Sequence, residues 1–158
     1  MNITAVYPGS FDPFTIGHES IVLRAMDLFD KIIIGIGFNI SKKTLFTVER
    51  RLEMLKELFS GNPKIEVMCY DDLTIDFCKR VDAKYILRGL RNSSDFEYEK
   101  GIAQVNQAMM PEVESIFMMT LPEHMAINSS VVREILRYGG DVSKFLPKSV
   151  YLQIKDYK

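Results

Sequence analysis

The sequence predicts an α/β protein in which a five-stranded parallel sheet is doubly wound, with helices on both of its faces. Three observations lead to this prediction. Short apolar runs alternate along the chain with segments whose apolar residues recur at helical spacing. The run KIIIGIGF at 31–38 is apolar almost throughout, as a strand buried on both faces requires. The length of 158 residues suits a single domain, 1–158, with one core.

The predicted strands are short and rich in β-branched or aromatic residues. They cover 3–7, 31–38, 64–70, 83–89 and 114–120. A helical pattern follows each strand, so consecutive strands need crossover connections and the sheet is expected to be parallel. No internal repeat, low-complexity tract or linker divides the sequence, which agrees with a single domain.

The first two helices are predicted from one-sided apolar patterns. The first helical face consists of Ile21, Val22, Ala25, Leu28 and Phe29. Thr47 is expected to cap the second helix, because its hydroxyl can accept from a backbone N–H of the first turn. The buried stripe of that helix is expected to be Val48, Leu52, Leu55 and Leu58.

Four further helices are predicted at 73–81, 92–109, 128–139 and 147–157. Asp71 or Asp72 is expected to cap the third helix, and Gly139 to stop the fifth. Pro147 stands at a first-turn position, where its missing N–H costs little. The apolar positions of the helix at 92–109 include Phe96, Ile102, Val105 and Met109.

Composition narrows the class of protein. The formal net charge of −1 gives no global attraction to nucleic acid or to an acidic membrane, so neither is expected as a partner. The N-terminus lacks a signal-peptide pattern, and no apolar run is long enough for a membrane span. Cys69 and Cys78 have no zinc-site spacing and are interpreted as free packing residues. A cytoplasmic location is expected.

Ligands of doubly wound sheets bind beyond the carboxyl ends of the strands, so the loops after the strands are the candidate site. The first of these loops ends in TIGH, where a helix is expected to begin and to present unpaired N–H groups to an anion. Gly17 would let a phosphate approach the backbone, and His18 and Ser10 are further donors. The alternative is a capped turn with a solvent-facing histidine.

The later loops add more anion donors. Lys42 lies in SKK at 41–43, although two lysines alone are also typical of a solvated surface. Arg88 and Arg91 follow the fourth strand, and guanidinium groups match phosphate oxygens bidentately. An internal ion pair of Arg88 with Glu97 or Glu99 is the alternative. Asn128, Ser129 and Ser130 are three consecutive capping residues at the start of another helix, and a plain N-cap is the simpler interpretation for any one of them. Together these donors favour a polyphosphate ligand.

Two common phosphate motifs do not fit. No GxxxxGK[ST] sequence occurs, which argues against a P-loop. The segment GIGFNI at 35–40 begins like a dinucleotide fingerprint, but Ile40 stands where its third glycine belongs.

Four segments, in order, resemble the phosphopantetheine adenylyltransferase family of the nucleotidylyltransferase superfamily: YPGSFDPFTIGH, SKK, LRGLRNSSDFEYE and INSSVVRE. The resemblance extends from Ala5 to about Pro147. TIGH alone marks the superfamily, whereas RGLR with DFEYE is more specific. The resemblance implies a Rossmann-like nucleotidyltransferase fold, transfer of AMP from ATP to 4'-phosphopantetheine, and release of dephospho-CoA and pyrophosphate. It also implies Mg2+, carried mainly by the ATP phosphates with no metal site in the protein, a cytoplasmic homohexamer, and CoA as a feedback inhibitor.

The resemblance also assigns roles to individual residues. The catalytic group would be His18, Lys42 and Arg88. The acceptor would be bound by Ser10, Lys42, Thr74 and Arg88. ATP would be bound by Ser10, Phe11, His18, Gly89, Leu90, Arg91, Glu99, His124, Met125, Ala126, Ile127, Asn128, Ser129 and Ser130.

The sequence departs from the family pattern at four of these positions. Ser10 stands where threonine is frequent, Thr74 where an apolar residue is frequent, and Asn128 where serine is frequent. His124 replaces a residue that is often aromatic, and its ring could stack on adenine. Two other functions stay open: a nucleotidylyltransferase for another small acceptor, such as a cytidylyltransferase, and a non-catalytic nucleotide-binding module.

Overall fold

The computed structural model describes residues 3–38, 41 and 43–156. Its strands are β1 (Thr4–Gly9), β2 (Lys31–Gly37), β3 (Ile65–Tyr70), β4 (Tyr85–Leu90) and β5 (Glu114–Met119). Its α-helices are α1 (Ile16–Ala25), α2 (Val48–Leu58), α3 (Thr74–Arg80), α4 (Ser93–Met109), α5 (Ser129–Arg137) and α6 (Lys148–Ile154). A short 3-10 turn, Pro122–His124, which the sequence patterns did not predict, lies between β5 and α5.

The five strands form one parallel sheet in the order β3-β2-β1-β4-β5. Strands β2 and β3 are added on one side of β1, and the chain then crosses back to add β4 and β5 on its other side. Val6 in the centre of β1 therefore pairs with Ile33 of β2 and with Ile86 of β4. The strand order reverses between β1 and β4, and the carboxyl ends of these two strands flank the resulting crevice.

Apolar side chains cover both faces of the sheet, which confirms the doubly wound prediction. Ile32, Ile34 and Ile36 of β2 pack in one buried cluster, whereas Ile33 belongs to a cluster on the opposite face. Successive side chains of a strand point to opposite faces, so a continuous apolar run serves both clusters. No helix within the described ranges is long and apolar enough to cross a membrane.

Several local predictions are confirmed. Thr47 caps α2 by accepting from the Arg50 N–H, and Asn128 caps α5 by accepting from the Val131 N–H. Gly139 follows α5 with a φ of 72°, the left-handed conformation that favours glycine after a helix. Cys69 and Cys78 are both free thiols.

Other local predictions are corrected. Neither Asp71 nor Asp72 caps α3, because the cap position is Leu73, which makes no side-chain bond, and Asp72 instead pairs with Arg80. Leu28 is exposed, since α1 ends at Ala25 before the predicted face is complete.

The longest helix has an unusual distribution of polarity. In α4, Phe96, Ile102, Val105 and Met109 are 40–58% exposed, while the carboxylate residue Glu99 is buried. The helix therefore directs a charged side chain inward and leaves an apolar face uncovered in the isolated chain.

Candidate active site

A cavity of about 390 Å³ opens at the reversal of strand order, between the ends of β1 and β4 and the N-termini of α1 and α5. We call it the large cavity. The predicted site residues that line it are Ser10, Phe11, His18, Arg88, Gly89, Arg91, Glu99, Ile127, Asn128, Ser129 and Ser130. The predicted residues outside its lining are Thr74, Leu90, His124, Met125 and Ala126. Lys42 lies outside the described residues, and the following Lys43 and Thr44 line the cavity.

A second cavity of about 240 Å³, the small cavity, adjoins the large one. Ser10, Arg88 and Glu99 line both. Thr74 lines only the small cavity, at the start of α3. Three predicted acceptor residues therefore line the small cavity: Ser10 and Arg88 lie where it meets the large cavity, and Thr74 lies away from that junction.

His18 is fixed by the cap of α1. Thr15 and His18 form a capping box in which the Thr15 backbone N–H donates to His18 Nδ1 at 3.0 Å. A nitrogen that accepts this bond carries no proton, so the neutral ring has its proton on Nε2. The fold thus provides His18 with one N–H donor, on the nitrogen that the cap does not use.

The surroundings of the ring keep it neutral. The rings of Phe11 and Phe14 contact it at centroid distances of 5.2 and 5.3 Å, and part of its edge reaches the large cavity. Burial, followed by the positive charges of Arg88 and Arg91, lowers the pKa of His18 from 6.5 to about 4. His18 is therefore an uncharged donor near pH 7.

The turn after β1 is shaped by packing. Phe11 has a φ of 48°, a left-handed conformation that is unfavourable for a bulky residue. Its ring lies over Gly9, where a Cβ would come within 2.8 Å of it. Gly9 is therefore required for the close approach of the Phe11 ring. Gly17 faces no such restriction, because a Cβ there would make only ordinary contacts.

Hydrogen bonds in both directions, which we call the clasp, join the turn after β1 to the segment before α2. The Asp12 carboxylate accepts from the backbone N–H groups of Leu45 and Phe46 at 2.7 and 2.9 Å. In return, Arg51, which is 2% exposed, donates to the carbonyls of Ser10 and Phe46. Burial lowers the pKa of the Arg51 guanidinium, while the charge of Asp12 opposes that shift. Two site loops are thereby held against each other.

The two predicted phosphate arginines each have a carboxylate partner. Glu99 receives two bonds from Arg88, whose Nη1 also donates to the Pro8 carbonyl at 2.6 Å. Asp95 receives bonds of 2.9 and 3.1 Å from Arg91, which hold the pKa of that carboxyl below its usual value. The ion-pair alternative for Arg88 is thus present, and both guanidinium groups still line the large cavity. Glu99 orients Arg88 directly.

The N-terminus of α5 forms another wall of the large cavity. The Ser129 hydroxyl donates to the Pro13 carbonyl at 2.8 Å, so its proton is already used. The Ser130 hydroxyl instead accepts from Arg133 at 3.0 Å and keeps its proton. Arg133 also donates to the Asp12 carbonyl at 2.8 Å. None of the ion pairs in the described part of the chain involves Arg133, so this residue brings to the cavity wall a positive charge that no carboxylate neutralises.

Sequence reasoning missed Arg133, Asp12 and Arg51. For Arg133 a signal existed, because its spacing of three and four residues from Ser130 and Ser129 puts it on their helical face. For the clasp of Asp12 with Arg51 no local signal existed, since the bonded groups come from distant segments.

All three carboxylates that line the large cavity are engaged. Asp12 accepts backbone N–H groups, and Asp95 and Glu99 hold arginines. Among residues 3–38, 41 and 43–156, no cluster of three His, Cys, Asp or Glu residues could hold a metal ion. These hydrogen-bond donors suit anionic ligands, including an anion that binds together with a metal cation.

Comparison with known proteins agrees with this geometry. Residues 6–135 match the model of the cytidylyltransferase-like family. A phosphopantetheine adenylyltransferase of Bacteroides thetaiotaomicron is 49% identical over 146 residues, covering 92% of this chain and 96% of the relative. Proteins of the same name from Flavobacterium psychrophilum and Caldanaerobacter subterraneus are 48% and 46% identical over the same length, covering 96% and 91% of the relatives. The chain therefore belongs to the cytidylyltransferase-like family and, within it, to the phosphopantetheine adenylyltransferases.

Proposed function

We propose that the chain transfers the adenylyl group of ATP to 4'-phosphopantetheine, giving dephospho-CoA and pyrophosphate. The observation that carries this proposal is the pair of cavities that meet at Ser10 and Arg88. The large cavity is walled by anion donors and by two helix N-termini, which suits a triphosphate. The small cavity suits the arm of an acceptor whose phosphate lies at the junction. The names of the relatives support the same reaction.

The chemistry needs no general base from the protein. The acceptor phosphate is largely a dianion at neutral pH, and its oxygen attacks the α-phosphorus of ATP. The bond from that phosphorus to the bridging oxygen breaks, and pyrophosphate leaves with the electron pair. The protein is left to align the reactants and to stabilise charge in the transition state. A site of donors without a nucleophile–base pair is suited to this work.

His18 is proposed to donate from Nε2 to an α-phosphate oxygen as negative charge builds there. Its neutral state is an advantage, because the donor is present throughout the neutral pH range without depending on a protonation event. The partial positive charge at the N-terminus of α1 acts in the same direction. Arg88, oriented by Glu99, is proposed to hold the acceptor phosphate. Lys42 is proposed, by family resemblance, to act at the same centre.

The β- and γ-phosphates are proposed to bind at the opposite wall, between Arg91 and the N-terminus of α5. Ser130 keeps a hydroxyl proton for donation, and Arg133 supplies an unneutralised charge beside it. The adenine contacts predicted for the 124–127 segment also belong to this proposal. His124 Nδ1 is buried and has no hydrogen-bond partner among the described residues, so a polar partner there would be favourable.

Magnesium is proposed to enter with ATP, where it would neutralise phosphate charge. The engaged carboxylates of the large cavity support coordination by triphosphate oxygens and not by the protein.

Pyrophosphate release from the purified chain with ATP, Mg2+ and 4'-phosphopantetheine tests the proposal. We expect release with ATP and little with CTP, and dephospho-CoA as the second product. Release with CTP and a phosphorylated alcohol would favour a cytidylyltransferase. Nucleotide binding by folded protein without release would favour a non-catalytic module and contradict the proposal.

Self-association is proposed as well, as a homohexamer. The exposed apolar face of α4 supports this, because such a face is stabilised by a covering copy. A cytoplasmic location and inhibition by CoA, which shares the product's pantetheine arm, complete the proposal. Sedimentation of wild type beside Val105→Asp tests the assembly: a smaller species is expected for the variant, and unchanged sedimentation would contradict a role for this face.

A further inference from the structure

The small cavity has two chemically different walls. Ile86, Ile102 and Phe117 supply apolar surface, whereas uncharged polar side chains line the rest, namely the bonded hydroxyl groups of Tyr70 and Thr74 together with Asn106 and Ser115. An apolar wall accepts any alkyl chain of suitable length, so it gives little selectivity among phosphorylated acceptors. Any preference for a particular arm must come from the polar groups.

The two hydroxyl groups are bonded to each other, with Tyr70 Oη 2.9 Å from Thr74 Oγ1. A pair of hydroxyl groups shares only one of its two protons, so one proton and several lone pairs stay available. The pair therefore offers both a donor and an acceptor to whatever occupies the small cavity. An amide, with its carbonyl and its N–H, is the neutral group that uses both.

Tyr70 is held rigidly behind this pair. Its ring is 8% exposed and stacks on Phe77 with centroids 4.4 Å apart and planes 3° from parallel. Gly35 and Gly37 leave the space for it, since a Cβ at Gly35 would lie 3.0 Å from the ring and one at Gly37 3.1 Å from Oη. Thr74, in contrast, is half-buried at the start of α3 and gains its orientation from Tyr70.

We propose that Tyr70 is a specificity-determining residue, which positions the Thr74 hydroxyl so that the pair binds an amide in the acceptor's arm. The inference rests on the proposed function and deepens it. It assigns the selection of an amide-bearing acceptor over an alkyl phosphate to this hydroxyl pair. An acceptor without the amide leaves the unshared proton and lone pairs without a partner in a mostly buried site, which lowers its affinity.

The test compares wild type with Tyr70→Phe, which removes one oxygen and keeps the stacked ring. Pyrophosphate release is measured at saturating ATP against 4'-phosphopantetheine and against an n-alkyl phosphate of matched length. We expect the KM for 4'-phosphopantetheine to rise about 3- to 10-fold in the variant. The turnover number, the KM for ATP and the KM for the alkyl phosphate are expected to stay unchanged.

Thr74→Val serves as a second variant if Tyr70→Phe lowers stability. The KM of the double variant for 4'-phosphopantetheine should not exceed that of the more impaired single variant, because both substitutions break the same hydroxyl pair. Tyr85→Phe is the matched control, since Tyr85 lines neither cavity. Unchanged KM values in both variants, or equal increases for both acceptors, would overturn the inference alone. Failure of wild type to release pyrophosphate would contradict the proposed function, and the inference with it.

Discussion

The large and small cavities share a boundary but are built from different interactions. The wall of the large cavity consists of charged groups fixed by other polar groups, as with Arg88 on Glu99 and Arg91 on Asp95. Away from Arg88 and Glu99, the small cavity combines apolar side chains with uncharged polar ones, among them the bonded hydroxyl pair of Tyr70 and Thr74. The fold thus separates two tasks: a prearranged polar network sets the geometry of the phosphates, and the shape and uncharged polar groups of the small cavity select the acceptor arm.

This contrast has a physical basis. A transferring phosphoryl group gains most from donors that need no reorganisation during the reaction, and carboxylate partners prevent the arginines from moving. An arm that does not react needs only burial and a match of hydrogen bonds. Changes in residues that line only the large cavity should therefore alter turnover or ATP binding, and changes in residues that line only the small cavity should alter the KM for the acceptor.

The largest effect is expected from His18→Ala. Loss of one transition-state donor should reduce the turnover number by about 10²–10³. ATP binding, measured by calorimetry, should change little, because the interaction strengthens mainly as charge develops. His18→Gln keeps a side-chain N–H donor and is expected to lose less. Near-normal turnover of the alanine variant would remove His18 from the mechanism.

An intermediate effect is expected from Arg133→Met, which removes the unneutralised charge beside Ser130. The KM for ATP should rise about 10- to 100-fold, the range for losing a charged hydrogen bond, with a smaller change in turnover. Arg137→Met, on the exposed last turn of the same helix, is the matched control. An unchanged KM for ATP would show that Arg133 does not contribute to triphosphate binding.

The smallest effect concerns pH. The pKa of His18 is about 4 in the folded chain against 6.5 for an unperturbed histidine, so the unfolded chain binds more protons between these values. The stability that the neutral ring contributes is complete above about pH 6.5 and is lost as pH falls towards 4. The free energy of unfolding, measured in urea, should fall more for wild type than for His18→Gln as the pH is lowered from 6.5 to 4.

Ring-proton NMR gives an independent measurement, because the chain has only two histidines and the His18→Gln spectrum assigns them. The His18 signals are expected to stay constant from pH 6 to pH 8. Titration of His18 near pH 6.5 would show that the ring is not shielded by its surroundings.

Much of the fold followed from local signals. The five strands and six helices appear close to where periodicity predicts them, and Thr47 and Asn128 cap helices as expected. Local rules succeed here because caps and amphipathic spacing involve atoms within a few residues. They fail at Asp72, which pairs with Arg80 at the far end of α3 instead of capping the helix. Helical spacing also gives no sign that α4 buries Glu99 and leaves its apolar residues exposed.

The candidate site divides in the same way. The loops after the strands, their donor residues and the family can all be identified from the order of residue types along the chain. How the charges are arranged follows only from the packed fold: Glu99 rather than Glu97 holds Arg88, Asp12 binds a segment 33 residues away, and Arg133 reaches a carbonyl 121 residues away. The physical reason is that a hydrogen bond depends on atoms within a few ångströms, and only the packed sheet determines which distant segments come that close.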